Sequence, residues 1–194
     1  MKTTRLEAFS DGVLAIIITI MVLELKGPEG TDLAALRPLT PHFFCYILSF
    51  IYVGIYWNNH HHLFQAAQQV SGGILWANLH LLFWLSLFPF TTDWMGEHAL
   101  TPIPTAVYGF VLFMAAVSYQ ILEHAIIAKE GGDSILGRAV GKDWKAKVST
   151  AVYIAAIPLA FVTPWISYAL YLFGALRWLI PDPRIERKLE NRQK

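Results

Sequence analysis

Arg5-Leu6-Glu7-Ala8-Phe9-Ser10-Asp11-Gly12-Val13-Leu14-Ala15-Ile16-Ile17-Ile18-Thr19-Ile20 reads as the start of a membrane-spanning helix. The run continues to Leu25, and after Glu7 its only charges are Asp11 and Glu24. A helix needs about 20 apolar residues to cross a bilayer. At about 100° per residue, Ile16, Thr19, Ile20 and Leu23 fall within about 100° of one another and form one stripe. Ser10 and Asp11 fall elsewhere on the wheel. One face is therefore apolar with a single hydroxyl, and another carries an acid near the helix start. An ionisable side chain inside a span is costly and faces protein or water, so Asp11 requires a partner. The sequence alone leaves three roles open for it: a structural hydrogen bond, a proton or cation site, or an interfacial carboxylate.

The rest of the chain extends the pattern. No Asp, Glu, Lys or Arg occurs in the 55 residues between Arg37 and Asp93, the 25 between Glu97 and Glu123, or the 29 between Lys147 and Arg177. These gaps hold about two, one, and one or two spans. Breakers at Gly27-Pro28, Pro38, Pro41, Gly72-Gly73, Pro102, Pro104, Gly131-Gly132 and Pro164 mark the joints. The predicted helices cover about 5–25, 41–64, 72–95, 102–128, 144–163 and 165–181. Basic residues decide between five spans and six. With six spans, 13 of the 15 Lys and Arg lie on the side of the termini, leaving only Lys26 and Arg37 opposite. With five the division is nearly even. The reading is an all-α integral membrane protein: a six-helix unit over residues 1–182, then a charged tail over 183–194, with both termini cytoplasmic.

Composition excludes other classes. The apolar residues make up 55% before the 13 glycines are counted, and charged residues 15%. Soluble domains hold about 45–50% apolar residues with glycine included, and about 25% charged. A net charge of +1 gives no sign of a nucleic-acid partner. Cys45, the one cysteine, has no internal disulfide partner. No cleavable leader is expected, because no small-residue cleavage site follows the first apolar run.

The second helix ends Tyr56-Trp57-Asn58-Asn59-His60-His61-His62, and the topology puts this end at the depth of Asp11. A network of Ser10 and Asp11 with Trp57, Asn58 and the histidines would give each donor an acceptor away from water. Three adjacent histidines diverge by about 100° each on a helix, so they do not converge on one ion. No metal site and no cofactor is expected. No nucleotide-binding loop, nucleophile elbow or zinc-protease motif is present. Glu123-His124 resembles an acid–base pair, yet no nucleophile stands beside it. Enzymatic activity is not expected.

Arg5-x-x-x-Phe9-Ser10-Asp11-Gly12-Val13-x-Ala15-Ile16-x-x-Thr19 resembles the signature of the endolysosomal potassium channel family called transmembrane protein 175, in its short bacterial form. Trp57-x-Asn59-His60-His61-x-Leu63-Phe64 is similar to a second stretch of those proteins, although His62 stands where a basic residue is common. The resemblance covers nearly the whole chain. It implies a homotetramer of six-helix subunits in the bacterial cell membrane, with the four copies of helix one lining a pore for potassium ions. It further implies that Ile16 forms the main constriction, with Ile20 and Leu23 as outer rings and Thr19 contributing to potassium preference. Arg5, Phe9, Ser10, Asp11, Trp57, Asn59, His60 and His61 correspond to the family's packing network. The expected function is passive, potassium-preferring conduction through a hydrophobic neck. The alternative is a proton-coupled or proton-conducting protein that uses Asp11, His60 and His61.

Overall fold

The computed structural model describes residues 3–67, 69–132, 134, 136–137 and 144–179. Among these the regular structure is helical: α1 (Thr3–Leu23), α2 (Thr40–Ala66), α3 (Gly72–Ser86), α4 (Phe88–Glu97), α5 (Pro102–Glu130), α6 (Trp144–Leu159) and α7 (Pro164–Leu179). A 3₁₀ segment, Leu33–Leu39, leads into α2. The charged tail at 183–194 and the basic residues Arg138 and Lys142 lie outside the described residues.

Local chemistry sets the ends. Asp32 caps the 3₁₀ segment by accepting from the Ala35 N–H at 3.0 Å, and Ser71 caps α3 by accepting from the Ile74 N–H at 3.4 Å. Side-chain oxygens at these positions satisfy N–H groups that the first turn leaves unpaired. Pro41 and Pro102 sit in the first turns of α2 and α5, where a missing N–H costs no helix bond. Gly131, at φ 92°, closes α5 in a conformation that favours glycine.

One expected helix is broken. The span predicted over 72–95 divides at Leu87 into α3 and α4. Pro89 has no N–H to donate back into the preceding turn, and its ring disfavours continuation. The chain resumes at once, with the Thr91 N–H bonded to the Leu87 carbonyl at 3.1 Å. The two pieces make one apolar crossing of 26 residues, Gly72–Glu97. Counting them together gives six helical segments among the described residues, in the order the breakers indicated.

The spans α1, α2 with its 3₁₀ lead, α3–α4 and α5 are long and apolar enough to cross a bilayer. The 16-residue helices α6 and α7 form a hairpin tied by Ser167, whose hydroxyl donates to the Ala156 carbonyl at 2.7 Å. α1 packs on α2, α3 and α4, α5 packs on α3 and α6, and α7 packs on α2 and α5. The core is aromatic. Tyr52, Tyr108, Tyr171, Phe64 and Phe88 are fully buried. Their hydroxyls are paired: Tyr52 donates to the Tyr171 carbonyl at 2.6 Å, Tyr171 to the Thr105 carbonyl at 2.9 Å, and Tyr108 shares a 3.0 Å bond with Ser49. Such pairing is what a tyrosine needs to enter a core.

Candidate functional site

α1 has two sharply different faces. Leu6, Ser10, Leu14, Ile17 and Met21 are buried against the bundle. Ile16, Ile20 and Leu23 are 58%, 39% and 78% exposed, with Thr19 exposed among them. The stripe read from helical geometry is thus the face of α1 that the subunit leaves uncovered. Phe9 and Gly12 extend the same exposed line toward the helix start. From Phe9 to Leu23 every position in this line is apolar or hydroxylic, and Arg5 stands at its start.

The Thr19 hydroxyl donates to its own helix, to the carbonyls of Ile16 at 2.8 Å and Ala15 at 3.1 Å. One proton shared between two carbonyls leaves the oxygen's lone pairs directed away from the backbone. On this exposed face Thr19 therefore offers an acceptor where its neighbours offer only hydrocarbon.

The polar residues at the other end of α1 separate into two groups. In the buried group, Asn78 of α3 links α1 to α2. Its amide nitrogen donates to Ser10 Oγ at 3.0 Å, and its carbonyl oxygen meets His60 Nε2 at 2.8 Å. Ser10 in turn donates to the Leu6 carbonyl at 2.9 Å. Ser10 and Asn78 are fully buried and His60 nearly so. The contact with Asn78 Oδ1 requires the proton on His60 Nε2, which fixes the tautomer of a neutral ring. Phe64 packs against that ring at 4.6 Å between centroids.

The second group is exposed. Trp57 Nε1 donates to Asp11 Oδ1 at 3.0 Å. Trp57 stacks on His61, with 6.3 Å between centroids and 18° between planes. His61 Nε2 is 2.7 Å from Gln65 Nε2. Ser10 and Asp11, adjacent in sequence, serve different helices and different faces. Asn59 turns back to its own helix, donating to the Ile55 carbonyl at 2.8 Å, while its carbonyl accepts from Tyr119 at 3.2 Å. Arg5 and Phe9 are exposed. Among the described residues no hydrogen bond or ion pair joins Arg5 to Asp11.

Sequence reasoning missed Asn78. A single Asn in the apolar run Ile74–Leu85 is a usable signal, because an amide inside a span needs an interhelical partner. The sequence does not name that partner, since Ser10 lies 68 positions away.

At the opposite end, Lys26 pairs with Glu97 at 3.0 Å and His42 lies 3.1 Å from Asp93. With Glu24, Glu29 and Asp32, this end is acidic.

The family model described as endosomal/lysosomal potassium channel TMEM175 matches residues 5–89, which include α1, α2 and Asn78. A potassium channel of Chryseobacterium sp. (strain P1-3) is 56% identical over 98% of this chain and 99% of its own length. A potassium channel of Chamaesiphon minutus is 30% identical over 91% of this chain and 95% of its own. A crystal structure of a lysosomal potassium-selective channel TMEM175 homologue from Chamaesiphon minutus superposes with a TM-score of 0.79 at 27% identity. It covers 91% of this chain and 96% of that one.

Proposed function

The chain belongs to the TMEM175 potassium channel family, and on that footing we propose that it is a potassium-preferring cation channel conducting passively through a pore lined by α1. The observation that carries this reading is the bare apolar face of α1, with Thr19 as its one polar member. A face of this kind at the centre of a four-fold assembly makes four copies of each side chain into a ring. The proposed subunit arrangement is a homotetramer, with Ile16 as the main constriction and Ile20 and Leu23 as further rings toward the acidic end.

A ring of four isoleucines narrows the path enough to strip water from an ion or to empty the neck by dewetting. Potassium loses its hydration shell more easily than sodium, so the neck itself favours potassium. The outward lone pairs of Thr19 replace part of the lost shell. Discrimination is modest, because no cage of carbonyl oxygens surrounds the ion. As a channel, the protein is not an enzyme.

In this reading Ser10, Asn78 and His60 are positioning residues. They fix α1 against α2 and α3 and so set where its bare face points. The proton-conducting alternative requires Asp11, His60 and His61 to act together. Their contacts instead set His60, held on Asn78 in the buried group, apart from Asp11 and His61, which meet Trp57 in the exposed one. The basic bias of the terminal side supports cytoplasmic termini in a bacterial cell membrane, with residues 183–194 as a charged cytoplasmic tail.

The test is a reversal-potential measurement on purified protein in liposomes under opposing potassium and sodium gradients. Reversal displaced toward the potassium equilibrium potential is expected. Folded, inserted protein that carries no potassium current would overturn the reading.

A further inference from the structure

A cavity of about 40 Å³ lies between α2, α5, α6 and α7, away from α1. It runs from the middle of the bundle, at Tyr52, toward the end where α6 begins and α7 finishes, at Ala146 and Trp178. Its wall is almost wholly apolar. Most polar side chains that reach it have partners within the protein: Tyr153 donates to Tyr52 at 3.2 Å, Trp178 to Ser149 at 2.7 Å, Tyr119 to the Asn59 carbonyl at 3.2 Å, and Gln120 to Thr150 at 2.8 Å. A trapped water wants two to four polar partners, and most of these groups already have theirs. The space suits hydrocarbon. At roughly 10–15 Å³ per water-sized group, it takes about three such groups, a short stretch of chain and not a headgroup.

The mouth is basic. The Lys145 amine lies 5.6 Å from the centre of the Trp178 ring. Lys145 and Lys147 flank the wall residue Ala146 on either side, and Arg177 adjoins Trp178 in the last turn of α7. An aromatic at the membrane interface beside cations, above an apolar cleft between spans, matches the chemistry of an anionic lipid.

We infer that this cleft holds an anionic phospholipid of the leaflet on the side of the termini, with a short stretch of one acyl chain against Ala116 and Tyr153 and its phosphate at Lys147 and Arg177. The site is separate from the conduction path on α1 and does not depend on it.

The full-length protein in detergent is titrated with phosphatidylglycerol and with phosphatidylcholine of identical chains, and bound lipid is read by native mass spectrometry. Phosphatidylglycerol is expected to bind in preference. Lys147→Ala with Arg177→Ala should weaken it by about tenfold, toward the phosphatidylcholine level, while Lys147→Arg with Arg177→Lys retains it. Ala116→Leu, which fills the cleft, should weaken both lipids; circular dichroism confirms that each variant is folded. Equal binding of the two lipids overturns the proposal, as does phosphatidylglycerol binding that neither the charge nor the cleft variant alters. Inorganic phosphate that displaces the lipid also overturns it, by showing a plain anion site.

Discussion

Asn78 Nδ2 donates to Ser10 Oγ at 3.0 Å, across 68 positions of sequence and between two different spans. The same amide meets His60 through its oxygen, so one side chain joins α1, α2 and α3. Asn78→Ala strands two buried partners, each at about 1–3 kcal/mol. Ser10→Ala strands only one. Thermal unfolding in detergent should therefore rank Asn78→Ala below Ser10→Ala, and the double variant should fall no further than Asn78→Ala alone. Fully additive losses would show that the residues do not act as one unit.

Ile16→Asn places four amides where the proposed neck has four hydrocarbon side chains. The neck should widen and wet, raising single-channel current and lowering potassium preference over sodium. The variant should fold normally, because Ile16 is 58% exposed in the subunit and supports no core contact there. Unchanged conductance and selectivity would remove Ile16 from the filter.

Thr19→Val keeps the shape of the side chain and removes its oxygen. The hydroxyl bonds only to its own helix, and such back-bonding adds little to helix stability. Current should persist while potassium preference falls by about 1 kcal/mol of discrimination, the scale of one hydrogen-bond-like contact. Bi-ionic reversal potentials read this directly.

Gly109→Ala drives a methyl group into the hydroxyl of Tyr171, which is fully buried and anchored to the Thr105 carbonyl at 2.9 Å. Overpacking of this kind costs about 1–3 kcal/mol. Tyr171→Phe in the Gly109→Ala background removes the clashing oxygen and should recover part of the loss. A melt showing the two changes as strictly additive would exclude the clash as the cause.

The Lys26 amine is held above its ordinary value, chiefly by donating to Glu97. A raised pKa means that its contribution is fully present below the unfolded lysine value of about 10.4 and is lost as pH rises through the folded value. The pair is solvent-exposed, so the contribution is small. Melting temperatures of wild type and Lys26→Gln should nearly coincide at neutral pH. Any gap should close at alkaline pH and high salt.

The six helical segments were legible because charge-free gaps and breakers are local signals, and because a bilayer fixes the length that the four long spans must supply. Most joints fell at Pro or Gly for the same reason. The split at Leu87 was also written locally, in Pro89, yet the apolar run across it reads as continuous. That Ile16, Thr19, Ile20 and Leu23 share a side followed from helical spacing alone, whereas the bareness of that side is a property of packing, because Leu14, Ile17 and Met21 make an equally apolar face that is buried. The partners of Ser10 and Asp11 did not follow. Their separation depends on which neighbour lies across each face, and that is a property of packing. Asn78 shows the limit best: its need for a partner is visible in sequence, and the identity of the partner is not.

The uncovered face of α1 also has a genetic consequence. A wall assembled from one helix per subunit, as in the proposed tetramer, belongs to no single chain. A defect in one copy enters every ring of the assembly that contains it. When intact and altered subunits are made in equal amounts and mix at random, only about one assembly in sixteen is wholly intact. A change at Ile16 would therefore act dominantly, whereas a change that prevents folding removes its own product from the mixture and leaves the intact chains to assemble with each other.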